Sequence, residues 1–167
     1  MEKEITEVYC GNGRGKTTLA IGQALRASSQ GKSVIIIQFL KGNERRELDF
    51  LEELDQLDIK IFRFEKMETC YDQLNEEEQV EEERNILNGL NFARKVIATQ
   101  ECDFLVLDEI LGLLDKHIAT VDMVVGLLKQ KDESMHLILT GNRGDPGILD
   151  YVDSVTTITT LGREQNS

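Results

Sequence analysis

The chain has 167 residues, 40 % of them hydrophobic, with one proline, no tryptophan and a formal charge of −12. This composition is typical of a globular protein that buries a core, and we expect a single domain over residues 1–167. A negative net charge without clustered Lys and Arg argues against nucleic-acid binding. No apolar run approaches the roughly 20 residues that span a bilayer, and the N-terminus lacks the apolar stretch of a signal peptide. We therefore expect a cytoplasmic protein without a membrane partner.

The first half of the chain alternates strand-like and helix-like segments, which is the pattern of a parallel α/β sheet. The predicted strands cover residues 4–9, 33–40 and 58–64, and the predicted helices cover residues 17–30 and 44–57. The run SVIIIQFL at 33–40 is nearly continuous in apolar and β-branched residues. Such a run predicts a strand that is buried on both faces.

The second half continues the alternation. Asn75 is a predicted N-cap, with Glu78 placed to complete a capping box. The helix after it carries an apolar stripe: Val80, Ile86, Leu87, Leu90, Ala93, Val96 and Ile97. We interpret the glutamates between 76 and 83 as its solvated N-terminal end, where the helix dipole favours negative charge. Further strands are predicted at 103–108, 136–140 and, as an edge strand, 154–160, and further helices at 120–131 and 145–152.

The cysteines and histidines are too isolated to predict a disulfide framework or a zinc site. Cys10, Cys70 and Cys102 are expected to be reduced thiols, the first and last of them in the core. His117 and His136 are expected to be structural.

The stretch YCGNGRGKTTLA at residues 9–20 is the strongest functional signal. The phosphate-loop pattern G-x-x-x-x-G-K-[ST] requires a glycine at position 10, where this chain has Cys10 and then Gly11. The glycine is thus displaced by one residue. A strand is nevertheless predicted before the stretch and a helix after it, so we predict a triphosphate site here.

Each residue type in this loop has a physical reason. Glycines such as Gly13 and Gly15 let the backbone turn tightly and direct N–H groups at an anion, and the next helix adds its positive end. Lys16 would bring a point charge to the phosphates, and the Thr17 hydroxyl would ligate Mg²⁺. Arg14 could reach the same phosphates.

Two later segments complete this prediction. FLVLDE is an apolar strand that ends in Asp108 and Glu109, and the first carboxylate would support Mg²⁺ at the carboxyl end of the strand. Glu109 could bind the metal or orient a hydrolytic water. In LTGNRGD, Arg143 could approach the phosphates or the substrate, or it could be a plain surface arginine.

Four segments together resemble the P-loop ATP:corrinoid adenosyltransferases: GNGRGKTT at 11–18, VIIIQFLKG at 34–42, LVLDEI at 105–110 and LTGNRGDPGILDYVDSVT at 139–156. The resemblance implies a RecA-like P-loop fold, with a mostly parallel sheet flanked by helices, in a homodimer. It also implies transfer of the 5′-deoxyadenosyl group of ATP to the Co(I) of a corrinoid, either cobalamin or a precursor, with release of triphosphate. A flavoprotein is a possible reductant.

The resemblance assigns roles to individual residues. ATP would be bound by Gly11, Asn12, Gly13, Arg14, Gly15, Lys16, Thr17, Thr18 and Arg26, with Arg143 as a further candidate, and Mg²⁺ by Thr17 with Asp108 or Glu109. Lys16 and Glu109 are the expected catalytic residues, and Gln38 and Lys41 would lie at the mouth of the site. Aromatic residues that contact the corrinoid in the family could be replaced here by Phe62, Phe64, Tyr71 or Phe92.

The expected chemistry needs little from the protein beyond position and charge. Co(I) is already a strong nucleophile, so no general base is required, whereas the triphosphate leaving group requires positive charge. Two alternatives remain open from the sequence. One is a P-loop ATPase-like paralogue, in which Glu109 orients water, and the other is a nucleotide-sensing module.

Overall fold

The computed structural model describes residues 3–42 and 48–162, and one parallel sheet forms its centre. The strands in chain order are β1 (Thr6–Cys10), β2 (Val34–Gln38), β3 (Ile59–Arg63), β4 (Phe104–Asp108), β5 (His136–Thr140) and β6 (Ser154–Thr157). They lie in the order β3-β2-β4-β5-β1-β6, and every neighbouring pair is parallel. The predicted alternation and the edge position of the last strand are therefore confirmed.

Helices connect the strands and cover both faces of the sheet. Within the described residues they are α1 (Lys16–Ser29), α2 (Glu76–Thr99), α3 (Ile110–Asp115), α4 (Val121–Gln130) and α5 (Pro146–Leu149). Successive strand residues point to opposite faces, so Ile36 packs with α1 residues on one face while Ile35 and Ile37 pack with α2 residues on the other. Each fully buried side chain of this size contributes roughly 1.5–3 kcal/mol to folding. This double burial explains the continuous apolar run of β2.

The N-terminal cap of α2 forms as predicted, but the solvent exposure of two residues in the helix differs from the prediction. The Asn75 side chain accepts from Glu78 N at 2.9 Å, and the Glu78 carboxylate accepts from Asn75 N at 3.1 Å, which completes the capping box. Val80 was predicted in the apolar stripe, yet it is 62 % exposed. Glu82 was predicted to be solvated, yet it is 1 % exposed and accepts from the backbone N–H groups of Lys66 and Met67. The helix is therefore turned so that one glutamate of the run faces inward.

The prediction of a helix at 44–57 is wrong for the part of that range that the structure describes. Residues 43–47 lie outside the described residues, and the rest contains only turns and a 3₁₀ helix at Asp49–Leu51. Leu51 is buried in the core, and the Glu52 carboxylate accepts from Ile61 N at 3.1 Å. The segment thus covers the outer edge of β3, where the strand has no neighbouring strand to pair with.

Other differences concern short elements and element ends. α3 was not predicted because its six residues are too few to show a helical period. The helix predicted at 145–152 is only α5, and the strand predicted at 154–160 ends at Thr157. None of the described helices is both long and apolar enough to cross a membrane.

The predictions for cysteine and histidine hold in part. Cys10 and Cys102 are buried, as predicted, and burial raises the pKa of the Cys102 thiol to about 12. His136 is structural, since its ring nitrogens lie 3.1 Å and 2.7 Å from carboxylate oxygens of Glu4 and Glu7. His117 is exposed at the end of α3 in a left-handed backbone conformation, so its expected structural role is limited to ending that helix.

Candidate nucleotide site

Polar side chains collect at the carboxyl edge of the sheet. The last residue of each of four neighbouring strands is polar: Arg63 in β3, Gln38 in β2, Asp108 in β4 and Thr140 in β5. Because parallel strands end at the same edge, these side chains meet. Arg63 Nε donates to Gln38 Oε1 at 2.8 Å, and Gln38 Nε2 donates to Asp108 Oδ2 at 3.1 Å. A continuous polar network therefore crosses this edge.

The predicted phosphate loop lies at the same edge, between β1 and α1. Gly15 has φ 102°, which is left-handed backbone that glycine adopts without strain. No side chain caps the N-terminus of α1. The first N–H groups of the helix therefore face outward, at the positive end of the helix dipole, where an anion binds most readily.

The loop is fixed from outside by the chain that follows β6 and by the chain that follows β5. Gly13 N donates to Ile158 O at 2.8 Å, Arg14 N donates to Thr160 Oγ1 at 2.8 Å, and Gly11 N donates to Asn142 O at 2.8 Å. A Cβ atom at Gly11 or Gly13 would lie 2.3 Å or 2.6 Å from the Ile158 carbonyl oxygen. These two glycines are therefore required by backbone packing. Because their N–H groups donate to Ile158 O and Asn142 O, the expectation that the N–H of Gly13 is directed at an anion is wrong.

Lys16 closes the loop from inside. Its Nζ donates to the carbonyl oxygens of Gly11 at 2.8 Å and Gly13 at 2.9 Å. The ammonium group thus lies across the concave side of the loop. It adds a full positive charge to the partial charge of the α1 N-terminus.

Asp108 is the centre of the site. It is completely buried, and its Oδ1 accepts from Thr17 Oγ1 at 2.9 Å and from Thr140 Oγ1 at 2.7 Å. Its Oδ2 accepts from Gln38 and lies 3.9 Å from Lys41 Nζ. The structure therefore brings together Thr17 and Asp108, the two residues predicted to serve a metal ion.

Glu109 stands beside this centre in a left-handed conformation, φ 65°. Its N–H donates to Thr140 Oγ1 at 2.8 Å, and α3 begins at the next residue. Burial raises the pKa of the Glu109 carboxyl, and the nearby charge of Asp108 also raises it, while Lys41 and Lys16 act in the opposite direction. The carboxyl group is half-buried, and the charges of both ammonium groups act on it.

The side-chain oxygens at this site could bind a hard cation only if a bound phosphate compound supplied further oxygen ligands. Thr17, Asp108 and Glu109 offer hydroxyl and carboxylate oxygens, which are the ligands that Mg²⁺ prefers. No three or more His, Cys, Asp or Glu side chains in residues 3–42 and 48–162 are grouped so that they could hold a metal ion. A cation here would need phosphate oxygens as further ligands, which is how Mg²⁺ usually binds at nucleotide sites.

Two depressions adjoin the loop. One, of about 260 Å³, is lined by Thr17, Thr18, Ile21, Gln38, Lys41, Leu48 and Arg63. The other, of about 620 Å³, is open and lined by Arg14, Gly15, Thr18, Leu19, Gly22 and Gln23. Arg26 is exposed in the last turn of α1, one turn beyond Gln23 and roughly 15 Å along the axis from Lys16. It therefore lies beyond the far end of the second depression and not at the loop itself.

The remaining predicted residues lie around the rim. Asn12 is exposed on the loop. Arg143 lines a separate depression of about 450 Å³ with Leu114, Asp115, His117 and Asp145, so the structure does not place it in the depression beside Thr17. Its neighbour Asn142 contacts the loop, through a backbone carbonyl.

Three site residues were missed from the sequence. Thr140 and Arg63 could have been suspected, because each is a polar residue at the end of a strand that leads to this edge. Ile158 contacts the loop through its backbone, and no residue pattern indicates that contact.

The loop, the lysine and the strand-end aspartate define a P-loop nucleotide-binding protein of RecA-like fold, as predicted. The solved structure of a KaiC-like protein from Pyrococcus horikoshii has the same fold, with a TM-score of 0.62 at 19 % identity over 94 % of this chain and 72 % of that one. Comparison of the sequence with protein families identifies the family. The model of the ATP:corrinoid adenosyltransferase BtuR/CobO/CobP family matches residues 2–165, so the chain belongs to that family.

Individual relatives agree with this assignment. The corrinoid adenosyltransferase of Escherichia coli K12 is 30 % identical over 162 residues, which is 94 % of this chain and 77 % of the relative. The corrinoid adenosyltransferase of Salmonella typhimurium LT2 is 28 % identical over 160 residues, again 94 % of this chain and 77 % of the relative.

Proposed function

We propose that this protein transfers the 5′-deoxyadenosyl group of ATP to the reduced cobalt of a corrinoid and releases triphosphate. The observation that carries the proposal is the family match over residues 2–165. The geometry is consistent with it, because the phosphate loop, Lys16 and Asp108 lie at one edge of the sheet.

In this proposal the triphosphate is held by the N-terminus of α1 and by Lys16. The uncapped first turn offers N–H groups, and Lys16 exchanges its carbonyl partners at Gly11 and Gly13 for phosphate oxygens. Negative charge grows on the triphosphate as the carbon–oxygen bond breaks, so a fixed positive charge there stabilises the transition state more than the ground state. Lys16 is therefore the proposed catalytic residue.

We further propose that Thr17 and Asp108 hold Mg²⁺, with Glu109 as a nearby carboxylate. Their oxygen donors suit the ion, and the Thr17 hydroxyl and one Asp108 carboxylate oxygen already lie 2.9 Å apart. When bound, the ion would neutralise charge on the triphosphate.

The other predicted ATP contacts form the outer part of the same proposal. Arg14 and Thr18 line the open depression along α1, and Asn12 is exposed on the loop two residues before Arg14. Arg26 would contact a nucleotide only at the end of that depression. Arg143 would contact one only if the loop at 141–145 moved toward the phosphates.

The corrinoid side of the proposal rests on fewer contacts. Phe62 and Phe64 both pack against Phe92 of α2, with ring centroids 4.6 Å and 5.4 Å from that of Phe92, and so support α2 on β3. Tyr71 stands outside that cluster, half-buried near Lys116. We propose Tyr71 as the aromatic contact for the corrinoid. A homodimer, a flavoprotein reductant, a cytoplasmic location and a single domain over 1–167 stay predictions, of which light scattering tests the first.

The test is anaerobic incubation with ATP, Mg²⁺ and chemically reduced cobalamin. We expect the absorption spectrum of adenosylated cobalamin to appear together with intact triphosphate. Lys16→Ala should lower the rate about 10²–10³-fold, the usual cost of removing one charge-stabilising donor. Lys95→Ala, which removes an exposed lysine of α2, is the control and should not change the rate. Release of orthophosphate without adenosylated product would contradict the proposal.

A further inference from the structure

The turn that follows β2 has an unusual backbone. Leu40 has φ 63° and Gly42 has φ 63°, so Lys41 lies between two left-handed residues. For a bulky side chain such as leucine this conformation is rare, because Cβ approaches the carbonyl oxygen. Surrounding contacts must therefore impose it.

Two contacts hold Leu40 in that conformation. Its side chain packs on α3, where the Leu40 Cδ1 atom lies 2.8 Å from the position that a Cβ on Gly112 would take. Its N–H donates to Oε1 of Glu65 at 2.7 Å. The preceding residue is fixed too, since Phe39 N donates to Asp108 O at 2.9 Å.

Burial of the Glu65 side chain is energetically unfavourable. It is 5 % exposed, and its second oxygen, Oε2, is buried without a hydrogen-bond partner. A buried carboxylate with an unsatisfied oxygen costs folding free energy. Its neighbours hold it in place, because Glu82 accepts from Lys66 N at 2.9 Å and from Met67 N at 2.8 Å.

The turn matters because of where it directs Lys41. The Lys41 ammonium lies 3.9 Å from Asp108 Oδ2, and its side chain is 34 % exposed and lines the depression beside Thr17 and Thr18. The backbone at residue 41 sets the direction in which the four-carbon stem leaves the chain, and so the region that the ammonium can reach.

We propose that Glu65 is a positioning residue for the reaction. By fixing Leu40 it directs Lys41 at Asp108 and at the phosphates of the bound nucleotide. The inference rests on the proposed function, since Lys41 acts here on the triphosphate of that reaction. It assigns Glu65, which does not contact the depression, a role in nucleotide binding and transfer.

The test is a double-mutant cycle between Glu65 and Lys41 in the full chain. Glu65→Met removes the acceptor at similar volume and should lower kcat/KM for MgATP about tenfold, as a misplaced charge does. Glu65→Gln keeps an acceptor oxygen and should retain most of the activity. Lys41→Ala should cost about as much as Glu65→Met, and the double variant should cost no more than Lys41→Ala alone.

Additive losses in the double variant would overturn the inference, because Glu65 would then act independently of Lys41. Equal losses for Glu65→Met and Glu65→Gln would overturn it too. Thermal unfolding identifies a variant that does not fold. In that case Glu65→Asp, which withdraws the acceptor by one methylene, takes the place of Glu65→Met.

Binding of a fluorescent ATP analogue with Mg²⁺ separates this inference from the proposed function. If the four proteins of the cycle bind the analogue and show coupling in its affinity, but the wild type forms no adenosylated product, only the proposed reaction is removed. Adenosylated product with an additive cycle would remove only the role of Glu65. Absence of binding by the wild type would remove both.

Discussion

Glu109 shows how much the role of one residue depends on the reaction. In a hydrolase a carboxylate at this position could orient water, whereas transfer to Co(I) uses no water and leaves Glu109 only its charge to contribute. Its position beside Asp108 and Lys41 suits a contribution to Mg²⁺ binding.

Glu109→Gln keeps the shape and removes that charge. We expect transfer to fall only as far as Mg²⁺ affinity falls, so that the rate recovers when the Mg²⁺ concentration is raised. Titration of the transfer rate with Mg²⁺ measures this, with Asp122→Asn on the exposed surface of α4 as the control. A rate that stays low at saturating Mg²⁺ would give Glu109 a direct part in the chemistry.

The buried Glu65 predicts a pH dependence of stability. Burial raises the pKa of its carboxyl above 4.5; the N–H of Leu40 and the charge of Arg63 lower it, and the charge of Glu82 raises it. The folded state therefore binds more protons than the unfolded state in the range above 4.5. The contribution of protonated Glu65 to the free energy of unfolding is fully present below pH 4.5, and it is lost as the pH rises through the raised pKa.

Glu65→Gln removes this titration. We expect the variant to gain stability relative to the wild type as the pH rises toward neutrality, and the difference to shrink below pH 4.5. Urea unfolding across that range measures it, with Glu81→Gln on the exposed face of α2 as the control. A difference that does not change with pH would show that Glu65 keeps one protonation state throughout.

Residues with a local signal could be predicted from the sequence, and residues placed by long-range contacts could not. Lys16 and Thr17 follow glycines at a recognisable spacing, and Asp108 ends an apolar run. Glu82 sits within a run of glutamates and looks like its neighbours. Only the packing of the chain after β3 turns it inward.

At the scale of elements, the phosphate loop and the chain after β6 form one packed unit. Gly11 and Gly13 allow Ile158 to approach, and Ile158 N donates back to Cys10 O at 2.8 Å. The loop therefore takes its shape partly from a segment far along the chain.

Gly13→Ala tests this contact. The new Cβ would lie 2.6 Å from the Ile158 carbonyl oxygen, so we expect a loss of about 1–3 kcal/mol in stability and weaker nucleotide binding. Gly126→Ala on α4 meets no atom within 4 Å and is the matched control. It should gain about 0.5–1 kcal/mol, because glycine is unfavourable inside a helix. Chemical denaturation measures both, and equal effects would contradict the packing argument.

Elements with strong hydrophobic patterns were predictable, and those set by context were not. The strands and α2 carry their own periodicity. Residues 48–57 have helix-forming composition, but burial of Leu51 and the bond from Ile61 to Glu52 favour an irregular segment over the β3 edge. Tertiary contacts decide such segments, because their intrinsic propensity is weak by comparison.

In the whole molecule, the sheet order joins distant parts of the chain. β1 lies between β5 and β6, and Thr6 N donates to Asp153 Oδ2 across 147 residues of sequence. Contacts between residues so far apart in sequence form slowly, because closing the long chain segment between the two residues costs entropy before the contact contributes any stability.

The bond from Gly13 to Ile158 has a consequence for how the protein is made. Ile158 lies 145 residues after Gly13 in the chain, so the ribosome delivers this partner long after the glycine-rich segment. A nascent polypeptide that still lacks Ile158 would carry a phosphate loop without one of its backbone contacts. Nucleotide capture is thus an expected late event of biosynthesis, and stalled nascent chains of increasing length would show where it begins.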